Sequence, residues 1–282
     1  MHLQRRDPPP SLRSAAVSSR SVAADELLAT LVDRRGGGVR GRSVSLSWAD
    51  VRTRALEMLH GLRAAGIDAG SAVAFAGRLR PERFCAELGA IAGGYVLRDE
   101  PADVVVVDDV WAGEAVEGAE LVVVIDGAPT GGAVALDRFA ARGIAWAASH
   151  STLPHPVPVR GIAGIRPGDH VLIRAACSVE LARRAFSAAA IAGAEVYVGE
   201  ADVEPVLELD RAAAEVVAAA PADVERLVAA AAGHRPTAAR ALRRLGRGPL
   251  GARLRLVLVD EPLPEASSEV LSRIGVEVAA AT

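Results

Sequence analysis

Short runs of consecutive apolar residues recur along this chain, at 72–76, 104–107, 121–125, 144–147 and 171–173, with stretches of helical spacing between them. A strand with one wet face alternates apolar and polar residues, whereas a continuous apolar run describes a strand covered on both faces. Such strands belong to parallel sheets held between helices, so the pattern predicts an α/β chain with largely parallel sheets. Further strands are expected near Tyr95 and at 195–198, 254–259 and 276–279, with a shorter apolar stretch at 215–219.

The helices carry their own punctuation. Ser47 can cap a helix while Asp50, three residues on, answers it. Val51, Ala55, Met58, Leu59 and Leu62 then share one face, and Gly66 stands where a helix end favours glycine. Pro81 opens a second helix that Gly93 and Gly94 close. Others are expected at 179–192, 222–232, 237–245 and 265–274.

One segment occurs twice. "GIDAGSAVAFAGRLRPERFCAELGAIAGGYV", from Gly66, aligns with "GIRPGDHVLIRAACSVELARRAFSAAAIAGAEVYV", from Gly164, as turn, buried strand, helix ending Ala-Ile-Ala-Gly, and return strand. The duplication predicts two similar α/β subdomains, 23–160 and 161–282, preceded by an Arg-, Pro- and Ser-rich arm over 1–22. The Pro-rich "STLPHPVPVRG" lies at their junction.

Composition removes several functions. All 32 basic residues are arginine, so no lysine of this chain can form a Schiff base or sit in a phosphate loop. A net charge of -3 with 3% aromatic residues does not describe a nucleic-acid surface. No apolar run approaches the roughly 20 residues of a membrane helix, and residues 1–20 have no apolar centre, so a cytoplasmic chain is expected. Cys85 and Cys177 lack CxxC spacing and read as buried thiols of a reducing compartment. The six histidines have no metal-ligand spacing, so no metal site is expected.

From residue 22 onward, the order of pieces resembles the N-terminal part of the adenylate-forming (AMP-binding) superfamily, which includes acyl-CoA synthetases. "SLSWADVRTRALEMLHGLRAAGIDAGSAVAFAGRLRPERFCAELGAIAGGYVL" is similar to the opening of such enzymes, and the second repeat to their second subdomain. "VVAAAPADVERLVAAA" is similar to the segment in which Val-Pro precedes a helix, and "LGARLRLVLVDEPLPEASSEVLSRIGVEVAAAT" to the approach to the adenine motif. The resemblance implies two α/β subdomains and, where activity is retained, ATP or AMP with magnesium as cofactors.

The family's machinery is mostly replaced. Between the repeats, where the glycine-rich phosphate loop with its lysine belongs, stands "AASHSTLPHPVPVRGIAG". The Pro-x-x-His position holds Ala176, Cys177, Ser178 and Val179, and the Gly-Gly-x-Pro-Leu turn survives as Asp260, Glu261, Pro262 and Leu263. The adenine motif is reduced to "VAAAT", with Thr282 matching its threonine, and the sequence ends before the family's ribose-binding aspartate and lysine-bearing domain. By resemblance, Thr282, Asp260 and Glu261 are the expected nucleotide-side residues, and Cys177 and Ser178 line the acyl pocket. No catalytic residue is expected.

Other motifs read more simply as structure. "GRGPLG", Gly246 to Gly251, satisfies GxGxxG but precedes a strand and carries Pro249, so it reads as a loop. Gly127, Gly131 and Gly132 follow the 121–125 strand and read as a turn. Ser149, His150, Ser151, Thr152 and His155 lack a nucleophile elbow and read as linker, and His60 and His170 as structural. The expectation is a degenerate, truncated synthetase relative without its own cofactor, binding a small carboxylic acid or docking on a complete synthetase or carrier protein. Two alternatives stay open. One is an active thioester hydrolase-like α/β enzyme using Ser149, His150 or Cys177; the other is one half of a split adenylate-forming ligase.

Overall fold

A computed structural model describes residues 19–98, 102–108, 118–126, 129, 132–150, 154–232 and 253–280. Strand β1 (Ser19–Ala23) runs into α1 (Ala24–Leu31), and a hairpin of β2 (Gly38–Arg40) and β3 (Ser45–Ser47) leads to α2 (Trp48–Ala64). The first repeat is β4 (Ala72–Phe75), α3 (Pro81–Ala92) and β5 (Val96–Arg98), followed by β6 (Val104–Val107), β7 (Leu121–Val124), β8 (Val134–Ala135) and α4 (Leu136–Ala147). After β9 (Pro158–Ile162), the second repeat is β10 (His170–Ile173), α5 (Val179–Ala192) and β11 (Glu195–Val198). Then come α6 (Pro205–Ala212), β12 (Val216–Ala218), α7 (Pro221–Ala232), β13 (Leu256–Val259), α8 (Glu265–Arg273) and β14 (Glu277–Ala280).

The repeat is a structural one. β4 pairs in parallel with β5 and, on its other side, with β6; β10 pairs in parallel with β11 and, on its other side, with β12. In each copy the order in which strands are added across the sheet therefore reverses at the first strand. The first copy grows into a five-stranded parallel sheet ordered β5-β4-β6-β7-β8. The second grows into a seven-stranded sheet ordered β14-β13-β12-β10-β11-β2-β3, parallel except for the β2–β3 hairpin. Every residue of β6, β10's Val171 to Ile173, and β13 is buried, as continuous apolar runs require.

Three expectations are corrected. The arm expected over 1–22 ends in a paired strand, since β1 lies antiparallel to β9 from Ser19 onward. The division at residue 160 is not a division between sheets, because β2, drawn from the first half, pairs with β11 of the second. A local repeat cannot reveal which sheet a separate hairpin will join. Residues 144–147, expected as a strand, end helix α4, which buries Phe139, Ala140 and Gly143 and leaves Ile144 55% exposed. Four apolar residues fit either period, and here the helical one includes the partners upstream. The helix expected at 237–245 lies outside the described residues.

The two copies meet through one core. Phe84 of α3 stacks on Phe186 of α5 with ring centroids 4.7 Å apart and planes at 8°, and Trp48 of α2 lies tilted 5.9 Å from Phe186. The Trp48 indole donates to the Ala194 carbonyl at 3.1 Å, so its one polar atom is satisfied inside this core. Beside the stack, the buried Glu87 carboxylate of α3 accepts from Arg83 at 2.9 Å and from Arg183 of α5 at 3.1 Å. Burial leaves this carboxylate few alternatives, so the bridge fixes how α3 faces α5. Helix α2 begins as expected: Ser47 and Asp50 form a reciprocal capping box, and Gly66 has a φ of +78° just past its end.

Candidate functional site

In open α/β sheets ligands meet the carboxyl ends of the strands where strand order reverses, because the crossovers leave in opposite directions and open a crevice. Here the order reverses between β4 and β6 and again between β10 and β12. Four of the expected site residues, Cys177, Ser178, Asp260 and Glu261, follow strands of the seven-stranded sheet, which makes its carboxyl edge the candidate site.

At that reversal the crevice is filled by a side chain. Arg174, one residue past β10, is 1% exposed. Its Nε donates to Asp223 at 2.9 Å, Nη1 to Glu208, and Nη2 to the Val203 carbonyl at 3.0 Å. Asp223 lies in the first turn of α7 and Glu208 on α6, so three elements converge on one guanidinium. Burial pushes the Glu208 carboxyl up from its ordinary value, while the Glu200 amide and Arg174 pull it down. The Glu200 amide donates to Glu208 Oε1 at 2.6 Å, and a methyl at Gly199 would collide with the same carboxylate. Arg174, Glu208 and Asp223 had no place among the expected residues. The available signal was an arginine directly after a buried apolar strand, a position that needs a carboxylate partner.

The expected residues divide. Cys177 is buried in the turn after Arg174, its amide donating to the Arg174 carbonyl at 3.1 Å. Burial pushes its thiol up to about 12, and the charges of Asp260 and Asp223 push in the same direction. Cys177 and Asp260 are thus brought together, with Asp260 half-buried at the end of β13 and Glu261 exposed beside it. Ser178 is the N-cap of α5: its hydroxyl accepts from the Leu181 amide at 3.2 Å. Thr282 lies outside the described residues, as does "GRGPLG".

The junction between repeats holds no pair of nucleophile and base among the described residues. The Ser149 hydroxyl donates to the Trp146 carbonyl at 3.5 Å, His150 Nδ1 lies 2.9 Å from the same oxygen, and the His150 ring stacks on Trp146 at 4.3 Å. Both side chains turn back onto the end of α4 instead of toward each other. His155 Nε2 lies 3.0 Å from Arg63, and its amide donates to Ala92, pinning the linker to α3. His170 Nδ1 lies 3.2 Å from Glu215, and burial pushes His60 down. Ser151, Thr152, Gly127 and Gly131 lie outside the described residues, and Gly132 has a φ of +92°, as a turn glycine can. Among the described residues no group of three metal-binding side chains forms, and no helix is long and apolar enough to cross a membrane.

No family model and no curated protein matches this sequence. Solved structures do match it. An anthranilate CoA ligase in complex with anthranoyl-AMP aligns over 91% of this chain with a TM-score of 0.65 and 14% identity. The adenylation domain of a carboxylate reductase from Mycobacterium chelonae aligns over 92% with a TM-score of 0.68 and 14% identity. An acyl-CoA synthetase from Brucella canis aligns over 92% with a TM-score of 0.65 and 18% identity. This chain spans 58%, 57% and 56% of their respective lengths. At such identities the likeness establishes the fold, which is adenylate-forming ligase-like.

Proposed function

Starting from that fold, we propose that this chain is a catalytically degenerate acyl-CoA synthetase relative that binds a small carboxylic acid or serves as an assembly partner of a complete synthetase or carrier protein. One observation carries the reading: the guanidinium at the strand reversal of the seven-stranded sheet is already closed by Glu208 and Asp223. A nucleoside triphosphate needs uncommitted donors and cations where its charge lands. At this edge Arg174 is committed to Glu208 and Asp223, Arg42 is bridged to Glu200 at 3.1 Å, and Asp260 and Glu261 add further carboxylates, while the chain has no lysine. The residues therefore do not fit ATP with magnesium.

The geometry also argues against a thioester hydrolase. A nucleophilic cysteine needs a lowered pKa, and Cys177 is raised; among the described residues no base is oriented toward Ser149. The test is ATP–pyrophosphate exchange by the purified chain over a panel of acyl substrates, alongside thermal shift with ATP, AMP and carboxylic acids. Expected are no exchange, no stabilisation by nucleotide, and stabilisation by an acid or by a synthetase added in trans. Exchange activity would overturn the proposal, and exchange appearing only on addition of a lysine-bearing chain would replace it with a split ligase.

A further inference from the structure

The reversal in the five-stranded sheet opens on a cleft of about 330 Å³ with Arg80 in its wall. The reversal in the seven-stranded sheet is crossed instead by one short stretch of chain, 199–213, which contains α6. Its ends are tied to β10: the Gly199 amide donates to the Ile173 carbonyl at 2.8 Å, and just past the far end the Glu215 amide donates to the His170 carbonyl at 3.0 Å. Between these ties α6 buries only Pro205, Glu208 and Leu209 and leaves Leu207 57% exposed. Arg174 fastens the stretch to the reversal through the Glu208 carboxylate and the Val203 carbonyl.

Charge does not balance inside this fastening. Two buried carboxylates, Glu208 and Asp223, share one buried guanidinium. The bridge between α3 and α5 has the opposite count, one buried carboxylate, Glu87, against Arg83 and Arg183. Asp223 has a second cation in reach, Arg226 at 3.8 Å on the solvent side of α7. Glu208 has no second cation within ion-pair distance among the described residues. The other titratable groups around it are Glu200, itself drawn to Arg42 at 3.1 Å, Tyr197 of β11, and Arg211 on α6. Desolvation disfavours the ionised form of Glu208, and the Glu200 charge adds to that. A proton on Glu208 supplies the missing positive charge, and water reaching the carboxylate in an opened stretch removes the need for it.

We infer that residues 199–213 form a proton-dependent strap over the strand reversal: protonation of Glu208 fastens it, and ionisation loosens it and admits solvent to Arg174. A carboxyl whose closed-state value lies above its ordinary 4.5 takes up a proton on closing, so closure strengthens as pH falls toward 4.5 and gains nothing further below it. The device belongs to the Arg174 plug and stands whether or not this edge takes a carboxylic acid.

Amide hydrogen exchange of the full chain, read by mass spectrometry between about pH 8 and about pH 5 and corrected for the intrinsic rate at each pH, tests it. Protection of the α6 amides should rise about tenfold toward the acid end while that of α5 stays level. Glu208→Gln should abolish this pH dependence, and Asp223→Asn, which leaves one carboxylate to Arg174, should reduce it. Glu204→Gln on the same strap should leave it as in the parent. Circular dichroism of each variant separates a loosened strap from a lost fold, and if Glu208→Gln does not fold, the parent profile and Asp223→Asn carry the test. Level α6 protection across this range in the parent, a rise shared equally by α5, or a folded Glu208→Gln that keeps the parent's rise would each overturn the inference.

Discussion

The two repeats build the same three-strand reversal and finish it in opposite ways. After β10, Arg174 turns inward, loses its water and is closed by two carboxylates and a carbonyl. After β4, the chain runs on to Arg80, whose side chain remains 20% exposed on the rim of an open cleft, and the inward position is taken by Asp108. Asp108 accepts from the Arg78 amide at 3.0 Å, and a methyl at Gly77 would press against it. A topology that opens a crevice thus does not guarantee a site, because one long charged side chain with partners on neighbouring helices can fill it.

The largest effect should come from unplugging the second reversal. Arg174→Met leaves Glu208 and Asp223 buried without their cation and should cost about 3–5 kcal/mol in urea unfolding. Arg80→Met removes a partly solvated pair and should cost no more than about 1 kcal/mol. Equal losses would remove the distinction between plugged and open edges.

Close packing should come next. Gly61→Ala drives a methyl into Phe139 between α2 and α4, and Gly161→Ala drives one into Ala188 between β9 and α5. Each should cost about 1–3 kcal/mol by thermal unfolding.

Helix caps sharpen the comparison further. Ser47→Ala and Ser178→Ala should each cost about 1 kcal/mol, and carboxylic-acid binding should survive Ser178→Ala if that hydroxyl only caps α5. Hydrogen bonds from Ser47 hold the Asp50 carboxyl below its ordinary 3.8. A carboxyl lowered on folding adds stability above its unfolded value and loses it as pH falls through the folded one. Asp50→Ala should therefore be destabilising at pH 7, and its difference from the parent should fade below about pH 3.8.

The smallest effect concerns two helix ends of the second half. α5 ends on Gly193 with φ +74°, whereas α6 ends on Ala213 with φ +47°, a left-handed conformation that a methyl makes costly. Ala213→Gly should stabilise by about 0.5 kcal/mol, while Gly193→Ala should destabilise by about 1 kcal/mol. Calorimetric midpoints moving in the same direction would mean that the Ala213 turn is not strained.

The legible parts were those whose signal is local. The valines of β6 and the Ser47–Asp50 pair can be read within a few residues of themselves, and both stand where they were expected. α1, the β2–β3 hairpin, β9 and α6 went unread, being short elements whose apolar residues face partners far along the chain. The 144–147 run was misread because its helix is defined by Phe139 and Ala140 upstream. At the candidate site, Cys177 and Asp260 stand close together after their strands, and the Ser178 hydroxyl, which the resemblance placed at a pocket, accepts from the Leu181 amide, a partner that only the helix start defines.

By itself the sequence determined that strands alternate with helices in two copies and that none of its own 282 residues is a lysine that could serve a site. Those properties reside in the order and kind of the residues. Only tertiary structure decided that the β2–β3 hairpin completes the second copy's sheet and that Arg174 spends its charge internally. Its carboxylates lie 34 and 49 residues away. A charge is neutralised by what is close in space, and at such separations the chain order carries no record of distance.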